Sequence, residues 1–298
     1  MASTKEIRSR LASTATTKQI TSAMKMVSAA KLKKAQDAVL QLRPYVQKMQ
    51  EILSSISSSD NEGTSEFTKA RDDAKVLIVV VTSNRGLCGA FNTNVIKQTM
   101  QLVHEKYDSQ LAAKKVSFLG IGKKGADFFR RKGLPLAEIN TELVDKVNFE
   151  KVSAFAEKLM LEYAEGKYDK IEIVYNQFKN AAIQILRTEQ FLPVPKADVN
   201  KTNAKGSASS TNYDFIFEPS KEQIIKDLIP KTLKVQLFKA VLDSIASEHG
   251  ARMTAMHKAT DNATELLKAL RIQYNKARQT SITNEILEIV GGAEALKG

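Results

Sequence analysis

The sequence contains no tryptophan, one cysteine and three histidines, and these scarcities exclude several kinds of site. Cys88 alone cannot form an internal disulfide or supply a cysteine metal cluster. The histidines, His104, His249 and His257, are scattered, so no zinc-ligand spacing is present. We therefore expect no bound metal.

Long apolar runs are also missing. The longest run, Val76–Val81, has the length of a β-strand, whereas a membrane-spanning helix needs roughly 18 or more apolar residues. The N-terminus has no apolar signal core, and Glu6 argues against a transit peptide. We expect a chain that does not span a membrane and that stays in the compartment where it is made.

Charge is plentiful, with a formal net charge of +12, and it is unevenly distributed. Residues 1–59 carry ten Lys and Arg against three acidic residues, residues 220–298 carry twelve against nine, and the middle carries 23 against 21. Basic terminal segments suit an acidic protein, an anionic membrane surface or a plain solvated face. Without aromatic-rich RNA motifs or zinc-finger spacing, we expect no nucleic-acid partner.

Both ends of the chain show the pattern of long helices. Apolar residues recur in steps of four and three, which is typical of a coiled-coil seam. In the N-terminal segment the regular steps run through Ala35, Val39, Leu42, Val46, Met49, Leu53 and Ile56. Before them, Ile7, Leu11, Ala15, Ile20, Met24 and Val27 continue one face with small slips in the spacing. The C-terminal seam comprises Val235, Phe238, Leu242, Ile245, His249, Arg252, Met256, Ala259, Ala263, Leu266 and Leu270.

The two helices can bury their seams by pairing antiparallel. Pro44 should bend the first helix locally, and Pro230 should open the second, which then reaches about Val290. The lengths correspond to about 50 and about 60 residues, or roughly 75 and 90 Å at 1.5 Å per residue.

The middle of the chain alternates strands and helices, which predicts a mostly parallel sheet with helices on its faces. The strands are 75–81, 116–119, 170–177 and 182–191, the last two joined by a hairpin at Asn180; the helices are 92–107, 123–132 and 149–164. The predicted fold class is α/β: an antiparallel coiled coil of terminal helices plus a Rossmann-like domain.

Four segments follow from this pattern. We predict an N-terminal coiled-coil helix over 1–58, a linker over 59–74 and a C-terminal coiled-coil helix over 220–298. The Rossmann-like domain occupies 75–219 and contains a loop insertion near 196–212 that is rich in Asn, Ser, Gly and Lys.

One motif favours an enzyme. Gly120–Gly125 (GIGKKG) matches the dinucleotide fingerprint G-x-G-x-x-G, and Glu138 follows at a suitable distance. The match falls on the second strand rather than the first, and the domain is small for a cofactor fold plus a substrate site. We interpret it as a tight strand-to-helix turn and expect no cofactor, with a nucleotide-dependent oxidoreductase as the alternative.

The turn after the first strand, Thr82–Asn92 (TSNRGLCGAFN), fits neither a Walker loop nor a nucleophile elbow. Ser83, Asn84 and Arg85 could face an anion, and Cys88 is expected to be a buried thiol. No paired carboxylates, catalytic triad or metal spacing stands out, so we expect no catalytic residues.

Four separated segments carry a family resemblance: ITSAMKMVSAAKL at 20–32, GLCGAFN at 86–92, EHGARMTAMHKATDN at 248–262 and YNKARQTSITNEILEIVGGA at 274–293. In this order they resemble the gamma subunits of rotary ATP synthases, over essentially the whole chain. The resemblance implies a non-catalytic rotor in the central stalk, which couples proton flow to ATP synthesis or hydrolysis. The alternative of a free-standing coiled-coil scaffold remains open.

The resemblance also implies partners and a location. The partners would be three alpha and three beta subunits, an epsilon subunit and the membrane ring of c subunits. The location would be peripheral, at the cytoplasmic face of a bacterial plasma membrane.

Residue roles follow from the matching motifs. Met24, Lys25 and Met26 resemble the segment that faces acidic loops of the catalytic subunits, although Lys25 occupies a position that is often acidic in bacterial relatives. Further contacts with the catalytic subunits are implied for Arg278, Gln279, Thr283 and Glu285. Contacts near the membrane ring are implied for Phe215, Phe217 and Glu218.

Overall fold

The structure is a computed structural model that describes residues 4–57, 66–68, 71, 74–145, 147–194 and 221–296. The elements in chain order are α1 Thr4–Ser57, β1 Val76–Val81, α2 Phe91–Lys106, α3 Asp108–Ala112, β2 Val116–Ile121, α4 Lys123–Arg131, β3 Leu136–Asn140, α5 Glu142–Asp145, α6 Phe149–Ala164, β4 Lys170–Phe178, β5 Gln184–Leu192 and α7 Lys221–Ala295. Long terminal helices and a mostly parallel sheet confirm the predicted fold class.

The chain divides into two compact units. Ala30–Ala251 form the sheet unit, and Met1–Ala29 together with Arg252–Gly298 form the helix-end unit. Each is described by itself below. Among the helices described, none has both the length and the apolar composition needed to cross a bilayer.

The sheet unit contains five strands in the order β3-β2-β1-β4-β5. Strand β1 pairs in parallel with β2 and β4, so that Val76 lies opposite both Val116 and Lys170. Strand β5 runs antiparallel to β4, and the turn between them is capped by Asn180, whose Oδ1 accepts hydrogen bonds from two following amides at 3.0 and 2.7 Å. The predicted hairpin is confirmed.

Apolar side chains cover both faces of this sheet. On one face, Ile78 and Val80 pack with Phe118 and Phe129 beneath α2 and α4. On the other face, a larger cluster joins the sheet to α6 and to the first part of α7, through residues such as Leu159, Leu233 and Leu237. Every residue of β1 is buried, as expected for a central strand of a covered parallel sheet.

Two features of the sheet unit differ from the predictions. Strand β3 was not predicted, because its sequence, LAEIN, lacks a run of β-branched residues. The strand lies at the edge of the sheet, where its side chains are at most partly buried. The prediction that Pro230 opens the C-terminal helix is wrong, since α7 begins at Lys221 and continues through it. The proline removes one backbone donor, and the burial of Ile229 and Leu233 on either side offsets that loss.

Candidate functional site

In the helix-end unit, α1 and α7 pair in antiparallel orientation. Arg8 Nη2 donates a hydrogen bond to the hydroxyl of Tyr274 at 2.7 Å, and the hydroxyls of Thr21 and Thr260 are hydrogen-bonded at 2.8 Å. From the first contact to the second, the residue number rises by 13 along α1 and falls by 14 along α7, so the two helices run in opposite directions. The Arg8 hydrogen bond lowers the pKa of Tyr274, because the guanidinium favours the phenolate.

The seam between these helix ends combines small and polar side chains with larger apolar ones. On α1 its buried residues are Ile7, Thr21 and Ser28, and on α7 they are Arg252, Met256, Ala263, Leu267 and Leu270. Small residues let two helices approach closely, and the threonine pair satisfies its hydroxyls across the gap. The buried residues are 14 and seven residues apart on α1, and four, seven, four and three residues apart on α7, which is a heptad spacing.

Three predicted seam positions are wrong, each by one residue. Ile20 is 55% exposed, Val27 is 57% exposed and Leu266 is 51% exposed. In each case the next residue along the chain, Thr21, Ser28 or Leu267, takes the buried position. At the first two positions the smaller residue fills the narrow gap and the larger apolar side chain points to solvent, whereas at the third one leucine takes the place of another.

Around this seam the helix-end unit exposes an apolar and basic surface. Met26 is 64% exposed beside Ile20 and Val27, while Met24 and Lys25 are partly buried. Within the described part of the chain no acidic side chain pairs with Lys25. Met24, Lys25 and Met26 are consecutive and point in directions about 100° apart, so they offer apolar area and positive charge on more than one side of α1.

The last part of α7 has no neighbouring helix in the described structure. Four residues before Arg8, Thr4 begins α1 and lies level with about Arg278, so later residues of α7 extend past it. From Arg278 to Leu296 every side chain is exposed. The predicted contact residues Arg278, Gln279, Thr283 and Glu285 all lie on this exposed stretch.

An apolar stripe that the sequence analysis missed runs along the same stretch. Ile282, Ile286 and Ile289 are 47%, 54% and 71% exposed and are spaced by four and three residues, so they share one face of the helix. Val290, which is 55% exposed, widens that face. The spacing was visible in the sequence, and a helix that presents such a stripe to water requires a partner to cover it.

The turn at Gly120–Gly125 carries the strongest sequence signal for a nucleotide site, but its geometry leaves little room for a nucleotide. The amides of Lys123 and Gly125 donate to Asn84 Oδ1 at 3.1 Å and Thr82 Oγ1 at 2.9 Å, and the amide of Lys124 donates to a neighbouring carbonyl. A Cβ on Gly122 would lie 2.1 Å from the carbonyl oxygen of Thr82. The donors that would hold a phosphate are already occupied, and the glycines permit close packing of two loops.

The turn after β1 is likewise internally bonded. Ser83 Oγ donates to the carbonyl of Arg85 at 2.6 Å, and Asn84 Nδ2 donates to the carbonyl of Thr141 at 2.9 Å. Cys88 is buried, as predicted, and Asn92 Nδ2 donates to its sulfur at 3.2 Å. Among the described residues no group of three or more His, Cys, Asp or Glu is arranged to hold a metal ion.

Some predicted residues cannot be located. Phe215, Phe217 and Glu218, the loop 196–212 and the side chains of Leu53 and Ile56 lie outside the described residues. Their roles stay predictions.

A family model described as ATP synthase matches residues 3–296. The ATP synthase gamma chains of Flavobacterium psychrophilum and Christiangramia forsetii are 56% and 54% identical to this chain, and each comparison covers 100% of both chains. Among solved structures, a chain of the central stalk and c-ring of the Tetrahymena thermophila mitochondrial ATP synthase is 26% identical, with a TM-score of 0.58 over 80% of this chain and 99% of that one. A chain of the Euglena gracilis mitochondrial enzyme shares the fold, with a TM-score of 0.66 at 24% identity over 98% of this chain and 94% of that one.

Proposed function

Because the chain belongs to the ATP synthase gamma-chain family, as its four motifs predict, we propose that it is the central rotor of a proton-translocating ATP synthase. In this role it makes and breaks no covalent bonds. It turns inside a ring of three alpha and three beta subunits and carries torque between that ring and the c subunits of the membrane ring.

The observation that carries this proposal is the exposed apolar surface of the helix-end unit. Isoleucine side chains stand in water along the last turns of α7, and a separate basic and apolar surface lies around Met26 on α1. A rotor needs a surface that contacts its surrounding subunits without being part of its own core. It must also contact each catalytic subunit differently, since only differential contacts shift a conformational equilibrium.

The contact residues follow from this role. Met24, Lys25 and Met26 meet acidic loops of the catalytic subunits, where the charge of Lys25 is attractive. Arg278, Gln279, Thr283 and Glu285 hydrogen-bond the subunits that surround the end of α7. Phe215, Phe217 and Glu218 contact the membrane ring, and an epsilon subunit completes the stalk, which stands on the cytoplasmic face of the bacterial plasma membrane.

Co-purification tests the proposal. The tagged full chain is expected to recover alpha, beta and epsilon subunits from detergent-solubilised membranes, together with ATP hydrolysis that pumps protons in reconstituted vesicles. Replacing Ile282, Ile286 and Ile289 by Gln removes apolar burial worth about 1.5–3 kcal/mol per fully covered side chain. Recovery of alpha and beta subunits is then expected to fall more than tenfold.

A matched control lies on the opposite side of the same helix. Asn284 is exposed and, at 100° per residue, points away from the isoleucine stripe. Asn284→Ala is expected to leave subunit recovery and proton pumping unchanged. A wild-type chain that recovers no alpha or beta subunits, or a triple variant that recovers them normally, contradicts the proposal.

A further inference from the structure

Within the sheet unit, one face of α7 contacts the β4–β5 hairpin through polar and small residues rather than apolar ones. This face, here called the hairpin stripe, is formed by Gln236, Lys239, Asp243, Ser247 and Gly250. The steps of three, four, four and three keep all five on one side of the helix. The hairpin is therefore held by directional contacts along its length.

The contacts run from the open end of the hairpin to its turn. Gln236 Nε2 donates to the carbonyl of Gln190 at 3.3 Å, and Lys239 Nζ lies 3.3 Å from Glu189 Oε1. Further along, Ser247 Oγ donates to the carbonyl of Asn176 at 3.2 Å. At the turn, a Cβ on Gly250 would lie 3.0 Å from the carbonyl oxygen of Ala181, so the glycine lets the hairpin approach the helix closely.

Asp243 occupies the centre of this stripe, and it is only 1% exposed. Arg43 of α1 reaches it from the other side: its Nη2 lies 3.8 Å from Asp243 Oδ1 and donates to the carbonyl of Phe178 at 2.8 Å. Neither carboxylate oxygen accepts a hydrogen bond of normal geometry from the described residues. A buried carboxylate with so few partners is costly to keep charged.

Charged and titratable groups face Asp243 from each element around it. They are Arg43 from α1, Lys239 from α7, Tyr175 from β4 and Glu189 from β5, while Arg187 of β5 faces Tyr175. Tyr175 donates a 2.6 Å hydrogen bond to Glu189, and burial raises the pKa of that tyrosine. Burial likewise raises the pKa of Asp243 to about 6, against the opposing charges of Arg43 and Lys239.

We propose that the hairpin stripe is a proton-sensitive clamp, in which protonation of Asp243 fastens the β4–β5 hairpin to α1 and α7 and ionisation of Asp243 loosens it. The clamp is a property of the chain itself and does not depend on the rotor function. A neutral Asp243 loses far less hydration energy on burial than the carboxylate does, and Arg43 keeps its hydrogen bond to the Phe178 carbonyl.

The direction of the pH effect follows from the linkage between proton binding at Asp243 and opening of the hairpin. Opening the hairpin exposes Asp243, whose pKa then returns to about 3.9. Between the open-state and closed-state values the closed form binds the proton more tightly, so closure weakens as pH rises through about 6. From pH 5 to pH 7.5 the opening equilibrium constant is expected to rise about tenfold.

Hydrogen exchange of hairpin amides in the full-length chain tests the clamp. After correction for the intrinsic exchange rate, residues 175–192 are expected to open about tenfold less often at pH 5 than at pH 7.5. Asp243→Asn carries no charge at either pH, so it should show the slow, acid-like exchange throughout. A wild-type hairpin with pH-independent opening, or an Asn variant that keeps the tenfold change, overturns the proposal.

Three further variants separate charge from packing. Gly250→Ala pushes the Ala181 turn away from α7, so it should increase opening equally at all pH values and keep the tenfold ratio. Arg43→Gln removes a charge that favours the carboxylate, which should move the pH midpoint upward. Glu189→Gln removes a repulsive charge, which should move it downward. Midpoints that move in the opposite directions contradict the assignment to Asp243.

Discussion

The sheet unit and the helix-end unit place their apolar residues in opposite ways. In the sheet unit the six residues of β1 are at most 1% exposed, and both faces of the sheet are covered. In the helix-end unit threonine, serine and alanine occupy much of the seam, while Ile20, Met26 and Val27 face solvent. The same residue types therefore build a core in one region and an outer surface in the other.

This contrast separates two sources of stability. The sheet unit buries enough apolar surface to hold itself together, as a domain with its own core does. The helix-end unit gains less from its narrow seam, and its exposed apolar area is available for burial against other subunits. Substitutions in the two units should consequently differ in whether they change folding or assembly.

The largest effect on folding is expected in the core of the sheet unit. Phe129 is fully buried and stacks on Phe118 with ring centroids 4.5 Å apart. Phe129→Ala should lower the free energy of unfolding by about 3–5 kcal/mol, measured by denaturant titration of the full chain. Leu161→Ala on the exposed face of α6 is the control, since that side chain is 63% exposed and should cost much less. Equal losses in the free energy of unfolding for the two variants would show that the buried core does not dominate the stability of the sheet unit.

A glycine substitution should rank second. Gly122 has φ 101° and no space for a Cβ, so Gly122→Ala should cost about 3 kcal/mol from clash and backbone strain together. Gly133 also has a positive φ, 67°, but nothing lies within 4 Å of its would-be Cβ. Thermal unfolding of Gly133→Ala should therefore show only the strain, about 1 kcal/mol. If both variants unfold alike, the packing of the two loops is not the cause.

A smaller effect is expected in the seam of the helix-end unit. Thr21→Val removes the cross-helix hydrogen bond but leaves Thr260 bonded to the carbonyl of Met256 at 2.8 Å, so the cost should be about 1 kcal/mol. Hydrogen exchange of residues 4–29 measures it. Thr17→Val loses only a bond to its own helix, at Ser13, and should change exchange far less. A null result for Thr21→Val would show that the threonine pair does not stabilise the seam.

The smallest effect on folding is expected where the effect on assembly is largest. Changing Ile282, Ile286 and Ile289 to Gln should alter the unfolding free energy of the isolated chain by no more than about 0.5 kcal/mol, because these side chains are exposed. Calorimetry of the unassembled chain checks this. A clear loss of stability would mean that the stripe is covered within the chain and would weaken the contrast between the units.

Much of the fold was predictable because its signals are local. The bounds of α6, Phe149–Ala164, and the run of β1 follow from periodicity and from a continuous apolar stretch. Strand β3 escaped prediction because its short, partly exposed edge sequence carries a weak local signal, and the start of α7 escaped it because burial of Ile229 and Leu233 outweighs the effect of Pro230. Local rules contain no term for that burial.

The surface was harder to predict than the fold. A heptad pattern identifies apolar residues, yet it cannot show that Thr21 rather than Ile20 lies inside, because this depends on how closely the partner helix approaches. The pairing of Arg43 with Asp243 joins residues that are far apart in sequence, and only the folded chain brings them together. The roles of Met24, Lys25, Arg278 and Glu285 stay predictions that await a partner.

The packing of Gly122 against Thr82 limits what this turn could become in evolution. The amides of Lys123, Lys124 and Gly125 are committed to the loop after β1. An anion site here would require several of those acceptors to be lost together, and each single loss would leave a donor unbonded and the fold weaker. A single substitution in this turn therefore weakens the fold before it frees enough amides to hold an anion.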